Sequence, residues 1–316
     1  MRHWSRAAAA FAIVALTAPL LRAEPATRPA SSEFLRFVDR GSSGSRLETA
    51  DVAYRDTRGV TVHLVSAVHI ADADYYKGLN ENFKLHDAVL YEMVKPQGSS
   101  APMHGVESQS GVSQFQRFLK DSLELEFQLD AIDYSPANFM HADLDSETFQ
   151  KLQEQRGETM MTLMIQAMMR AMAQPQGGLN QPNPDEMFED LIRVFTRPDA
   201  HRQMKLMLAK NLSQIEDTAM GLDGPGGSVI LTERNKAAVA AMEQAIADGK
   251  KDIVIFYGAA HMPDLATRLA GLGFSPVATE WRQAWDLTIR ADEPSAVEKM
   301  LIELFKEPAK SGESRN

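Results

Sequence analysis

Two stretches of this chain pass from an apolar run to small residues and a histidine, and each then takes up helical spacing. Val60 to Ala67 is apolar and β-branched, the pattern of a buried strand, and it stops at Val68-His69. Ala71 to Leu85 has apolar residues at helical spacing, and Ala88 to Val94 predicts another apolar strand. Further on, Ile253 to Tyr257 predicts a strand that ends in Gly258-Ala259-Ala260-His261. A helix is expected from about Pro263, since proline suits a first turn, and Gly273 lies past its end. Pro276 to Ile289 alternates, with Val277, Thr279, Trp281, Gln283, Trp285 and Leu287 on one face, which predicts a strand or hairpin.

The two stretches align with each other. Ser66-Ala67-Val68-His69-Ile70-Ala71-Asp72 matches Gly258-Ala259-Ala260-His261-Met262-Pro263-Asp264. Each continues through a helix to a strand that carries a glutamate, Glu92 or Glu280. The expected fold class is therefore α/β: a central mixed sheet from two pseudo-repeated βα halves, with a large helical insertion over about residues 97–223 forming a cap. Two unrelated βα turns are the plainer alternative. Within the insertion, helices are expected at Gly111 to Leu125, Ser146 to Met172, Pro184 to Phe195 and Asp199 to Met220, with a Gln/Pro/Gly/Asn-rich break from Gln174 to Pro184.

The ends read differently. Residues 1–23 carry a basic start at Arg2 and Arg6, an apolar stretch from Ala7 to Leu21 and a small residue, Ala23, at a cleavage position, which together predict a signal peptide. A retained amino-terminal anchor is the alternative. Residues 24–45 are expected to be a linker with some helix around Phe34 to Phe37, residues 46–306 the α/β domain, and residues 307–316 a flexible tail.

Composition narrows the function. The 316 residues carry 33 basic and 43 acidic side chains, a formal net charge of −10. Cleavage after Ala23 would remove three arginines and no acidic residue, leaving −13. A chain so acidic has no basic surplus to neutralise phosphates, so nucleic acid is not expected as a partner. With no cysteine, disulfide frameworks, thiol catalysis and thiolate metal centres are excluded.

Of the eight histidines, only His69 and His261 end an apolar strand behind small residues, where the backbone turns sharply and a ligand can approach. Glu92 is the second anomaly: a carboxylate in an otherwise apolar strand must be paired, hydrogen-bonded or metal-bound. His69, Glu92 and His261 make a competent divalent-metal set, or a general base with its orienter if no metal is used. A salt bridge from Glu92 to an arginine is the simpler account. Arg234, in a helix's first turn, opposes the dipole and could bind a substrate carboxylate or a developing oxyanion; a surface arginine is the alternative. Thr232 is the expected cap of that helix, and Asp72 and Asp264 are expected to be helix caps. Met160, Met161, Met164, Met168, Met169 and Met172 cover one helix face, suited to adaptable packing or a greasy lid, with copper binding as the alternative.

Taken in order, Ser66 to His69, Tyr91-Glu92, Asp133-Tyr134, His141-Ala142-Asp143, Glu233-Arg234-Asn235, Gly258 to His261 and the Trp281 to Trp285 segment resemble the TraB/TIKI (TraB/GumN) family, within the erythromycin esterase/ChaN-like group. The resemblance spans about Asp51 to Ile289. It departs at Ser66, where the family pattern has glycine and where a left-handed backbone would be strained. The resemblance implies an α/β fold with a helical insertion and a site built from His69, Glu92, Arg234 and His261. It also implies a divalent-metal-dependent peptidase acting on a peptide or protein substrate. Together with the signal peptide, the expectation is an exported hydrolase, periplasmic or secreted, whose histidine and carboxylate ligands suit Mn, Co or Zn. After signal cleavage no integral membrane domain is expected. Because the wider group includes haem binders and metal-free esterases, a non-catalytic exported binding protein for haem, metal or a hydrophobic peptide stays open as the alternative.

Overall fold

The computed structural model describes residues 34–41, 44–99, 125–158, 200–213 and 227–288. In chain order the described elements are β1 (Leu35–Val38), β2 (Arg46–Arg55), β3 (Thr61–Ala67), β4 (Ile70–Ala71), α1 (Ala73–Phe83), β5 (Ala88–Tyr91), β6 (Glu126–Phe127), α2 (Gln128–Ala131), β7 (Phe139–His141), α3 (Ser146–Arg156), α4 (Ala200–Leu212), α5 (Arg234–Ala247), β8 (Asp252–Gly258), α6 (Met262–Gly271) and β9 (Ser275–Asp286). The fold is α/β around a mixed sheet that has seven strands among the described residues, in the order β1-β2-β3-β8-β5-β7, with β9 also on β2. The strands β3, β8, β5 and β7 run parallel, whereas β1, β2 and β9 join them antiparallel.

The apolar runs explain the layering. In β8, Ile253, Ile255 and Tyr257 face one core while Val254 and Phe256 face the other, so a strand buried on both sides shows no polar alternation. Tyr75, Tyr76, Leu79 and Phe83 of α1 cover the Val254 and Phe256 face, and Ala238, Met242 and Ala245 of α5 with Leu265 and Leu269 of α6 cover the Ile253, Ile255 and Tyr257 face. The sheet thus lies between helical layers, and the carboxyl ends of its parallel strands are left to carry the chemistry.

Several elements differ from the sequence reading. Residues 35–38, expected to lie in a linker with some helix, form the sheet strand β1: Phe34 and Leu35 are buried, and Phe34 O accepts from Ala50 N at 2.8 Å. Strand β2 lies at the start of the expected domain, and no strand was foreseen there because its buried side chains include Glu48, Thr49 and Asp51. Each is satisfied: Glu48 by Arg36 and Arg46, Thr49 by the Tyr75 hydroxyl at 3.1 Å, and Asp51 by His63 at 3.0 Å. The middle of the chain is not only helical, because β7 adds a parallel strand beside β5. Helix α3 stops at Arg156, where Gly157 turns left-handed (φ 63°) and its N–H bonds back to Gln153 and Glu154. The strand from Ala88 is shorter than expected and ends at Tyr91.

The two halves share a strand, a turn and a helix but diverge afterwards. After α1, the chain enters β5, parallel to β8, whereas after α6 it enters β9, antiparallel to β2. Glu280 is therefore no counterpart of Glu92; it pairs with Arg282 on the outside of β9. The helices expected at Gly111 to Leu125 and Pro184 to Phe195, the continuation of Ser146 to Met172 with its methionine face, the signal peptide and the tail lie wholly or almost wholly outside the described residues.

The Glu48 cluster gives a direct stability test. Burial alone would raise the Glu48 pKa, but the Arg46 and Arg36 guanidiniums outweigh it and hold the carboxyl below its usual range. A depressed carboxyl contributes stability above the unfolded pKa and loses it as pH falls through the folded one. Glu48→Gln is expected to cost about 1–3 kcal/mol at pH 7, the worth of hydrogen bonds to a charged group. That difference should shrink as the pH drops below about 4.3, the usual glutamate value. Urea unfolding of both proteins at pH 7 and pH 3 checks it.

Candidate active site

Four neighbouring parallel strands deliver one polar side chain each from their carboxyl ends. His69 follows β3, His261 follows β8, Glu92 is the first residue beyond β5, and Asp143 lies just past β7. Glu92 thus leaves the strand in which the sequence pattern placed it, though its N–H still donates to Phe256 O at 3.2 Å. The two small-x-x-His motifs are not in step. Ser66 stands opposite Tyr257, and Ala67 opposite Gly258. Ser66 sits in regular strand, so the feared left-handed strain is absent. Gly258 is also extended (φ −56°, ψ 146°), so its value is space rather than turning. A Cβ on Gly258 would lie 3.4 Å from Glu92 Oε2, 3.9 Å from His261 Cδ2 and 4.0 Å from His69 Cε1. Three of the predicted site residues therefore converge over one glycine.

The carboxylate of Glu92 is held from two sides. Gly258 N–H donates to Oε2 at 2.6 Å and Arg234 Nη2 to Oε1 at 2.8 Å, with His261 Nε2 3.6 Å from Oε1. Arg234 in turn donates from Nε and Nη2 to Asp143, at 2.9 Å and 2.5 Å, whose side chain is fully buried. The surface reading of Arg234 is thereby excluded, and the arginine partner foreseen as the simpler account of Glu92 is Arg234 itself. Arg234 is placed by a π-helical turn, Val229–Glu233, that runs into α5. Ser228, not Thr232, caps that turn, its Oγ accepting from Leu231 N at 3.1 Å. Gly227 packs against Thr232 at φ +69°, where any side chain would collide with the threonine.

Two amide side chains set the histidine tautomers. Asn235 Nδ2 donates to Asp264 Oδ2 at 2.7 Å and to His261 O at 3.3 Å, which turns its Oδ1 towards His261 Nδ1 at 2.6 Å. Gln128 Nε2 donates to the Tyr134 hydroxyl at 3.3 Å, which leaves Oε1 facing His69 Nδ1 at 3.2 Å. An amide oxygen can only accept, so both imidazoles carry their proton on Nδ1 and present a lone pair at Nε2. His261 is buried and His69 is exposed. The two aspartates expected as caps have other partners. Asp72 sits at the N-cap of α1 but binds Lys205 Nζ at 2.8 Å and Asp286 N at 2.5 Å, and Asp264 binds Asn235 and Arg268.

Burial opposes a charge on Glu92, yet His261, Arg234, His69 and the Gly258 N–H outweigh it and bring its pKa down to about 2. Arg234 is held more firmly charged than usual: burial opposes the charge, but the bond to Asp143 and the field of Glu92 prevail. His261 is moved below its ordinary value chiefly by burial, so it stays neutral at pH 7. Tyr134, desolvated behind His69, is pushed up to about 12 and remains a hydroxyl. The Glu92 carboxylate and the imidazole nitrogens of His69 and His261 suit a divalent cation in kind. The donor atoms of His69, Glu92 and His261 do not all lie within 4.8 Å of one another; among the described residues that spacing is met by His63, His86 and Asp252.

Asp143, Asn235 and Gln128 position the site although the sequence reading gave them no role, and Gly258, read there as a turn that lets a ligand approach, supplies space and an N–H to Glu92. Asp143 and Asn235 were in view as members of quoted motifs, whereas nothing marked Gln128, whose partner lies 59 residues away. No protein-family model, curated protein or solved structure matches the chain. Among the described residues no helix is long and apolar enough to cross a membrane.

The tautomer assignment can be measured. In chelator-treated protein, nitrogen-15 NMR is expected to show His261 neutral at pH 7 with its proton on Nδ1. Asn235→Ala should release that preference, so that the Nε2–H form becomes populated. A wild-type His261 protonated on Nε2 would contradict the amide network.

Proposed function

We propose that this chain is an exported hydrolase of TraB/TIKI type, a peptidase acting with a divalent metal on a peptide or protein substrate. The observation that carries the reading is the convergence of two Nδ1-anchored histidines on Glu92 over Gly258. A manganese, cobalt or zinc ion would need Nε2 of His69, Nε2 of His261 and an oxygen of Glu92 to draw closer together than they stand here, and once held it would polarise the substrate carbonyl and lower the pKa of water.

The chain's own groups divide the remaining work. His261, buried and neutral, offers a fixed lone pair, and Asn235 keeps that lone pair aimed. His69, exposed at the rim, is the histidine an incoming substrate meets. Arg234 is engaged through Nε and Nη2 with Asp143 and Glu92, which makes it first a positioning residue that keeps Glu92 ionised and directed at the cleft. The oxyanion role expected for it would need one of those bonds to be exchanged for substrate. Export rests on the signal-like residues 1–23, and periplasmic or secreted placement follows from it. The acidic net charge keeps nucleic acid off the list of partners. The sequestering alternative, for haem, metal or a hydrophobic peptide, leans on the methionine-rich face outside the described residues.

A peptide-library digest of the mature chain, with manganese, cobalt or zinc added and products read by mass spectrometry, tests the proposal. His69→Ala and His261→Ala are each expected to lower cleavage at least 100-fold, in the range lost with a positioned acid–base group. Cleavage at the wild-type rate by both variants would refute the site. Gly258→Ala separates site from fold. Its backbone angles suit alanine and the new methyl meets ordinary contacts, so thermal stability should hold while turnover falls about 10-fold or more, since misplacement by 1 Å alone can cost roughly 100-fold.

A further inference from the structure

The amino-terminal ends of the same parallel strands carry a second constellation, independent of the hydrolase reading. His63 lies in β3, His86 two residues ahead of β5, and Asp252 opens β8. Asp252 Oδ1 is 3.0 Å from His86 Nδ1 and 3.4 Å from His63 Nε2, and all three ligand atoms lie within 4.8 Å of one another. Tetrahedral zinc with bonds of about 2.0–2.1 Å spaces its ligand atoms about 3.3 Å apart.

We propose that His63, His86 and Asp252 form a structural site for a first-row divalent cation of the zinc class, tying together the three parallel strands at the end of the sheet away from the candidate active site. Three observations support it. First, Asp51 Oδ1 accepts from His63 Nδ1 at 3.0 Å, and the buried Asp51 carboxylate is itself 3.4 Å from Arg282 Nη2. A carboxylate behind the imidazole fixes the tautomer and directs the Nε2 lone pair at the ion, the usual outer shell of a zinc-bound histidine. Second, the ligands are held before any ion arrives. Asp87 N donates to Asp252 O at 2.9 Å, the N–H groups of Lys251 and Asp252 donate to Asp87 Oδ2 at 2.9 and 3.1 Å, and Asn138 Nδ2 donates to His86 O at 3.0 Å.

Third, the His86 side chain is 7% exposed and presents Nδ1 to Asp252 Oδ1 at 3.0 Å, so one buried imidazole nitrogen is already directed at the cluster. Asp252 is 44% exposed, so the solvent side of the site is open to water as a further ligand. Two imidazoles and one carboxylate favour zinc, cobalt or nickel over calcium or magnesium, which prefer all-oxygen shells.

The test uses the full chain carrying His69→Ala and His261→Ala, so that an ion at the other cleft cannot be counted. After chelator treatment it is titrated with cobalt and then zinc, reading visible absorption, metal per chain and melting temperature. Expected are one equivalent bound, a tetrahedral cobalt spectrum and a rise in melting temperature, all abolished by a further His86→Ala. If that variant does not fold, Asp252→Asn, equal in size, takes its place and should remove the cobalt spectrum. Asp51→Asn should weaken binding about 10- to 100-fold, as outer-shell changes do. No stoichiometric ion in the His69→Ala/His261→Ala chain, or binding unchanged by Asp252→Asn, would overturn the proposal and leave a charged histidine between two aspartates.

Discussion

The open end of this sheet depends on one carboxylate that could not stand there alone. Glu92 emerges from a strand whose every residue is buried, and an unpaired charge at that place would cost several kcal/mol. It is tolerable because Gly258 supplies a backbone N–H on one side and Arg234 a guanidinium on the other. Each support has its own condition. Gly258 N–H reaches Glu92 because β8 runs beside β5, and Arg234 stays in place because fully buried Asp143 also accepts from it. Removing any one member leaves a buried charge without its partner, so the group is better regarded as one unit spread over β5, β7, β8 and α5.

That dependence explains why the strand order matters more than the apparent repeat. The strand β8 lies between β3 and β5, although it comes last of the three in the chain. Only with β8 in the centre can Gly258 and His261 meet Glu92 of the β5 end on one side and His69 of the β3 end on the other. Among the described residues, the antiparallel strands β1, β2 and β9 supply none of the side chains gathered around Glu92, though Trp285 of β9 donates to Ile70 O beside His69 at 2.7 Å. They extend the sheet, and they bring Asp51 and Arg282 to the opposite end, where His63 is held.

Much of this was legible in the chain. The parallel strands β3, β5 and β8, their helices and the three residues His69, Glu92 and His261 follow from apolar runs that stop at small residues. What escaped was polar and distant. β2 hides because Glu48, Thr49 and Asp51 read as surface positions until Arg36, Arg46, Tyr75 and His63 are seen beside them. Gln128 hides because a lone amide opening the four-residue helix α2 leaves no periodic trace. Arg234 was visible as an oddity, an arginine opposing a helix dipole, but its reason, Asp143, is 91 residues away. Periodicity reports burial along one element, whereas these partners are set by which elements meet.

The matched histidines also turn out to be unequal, and the inequality follows from local chain geometry. After β8 the backbone turns at once through Ala259–His261 into α6, which buries His261 against Asn235. After β3 the chain instead runs on into β4 and pairs with β6, which leaves His69 exposed with Gln128 behind it. The one-residue offset between Ser66 and Gly258 in the ladder moves the two rings out of step, so one is a fixed post and the other a rim. A pair built as true equals would bind a symmetric ligand best. This pair has one buried nitrogen aimed by Asn235 and one exposed ring backed by Gln128, and in the peptidase we propose that asymmetry would suit an amide, with its carbonyl held on one side while its remainder stays in solvent.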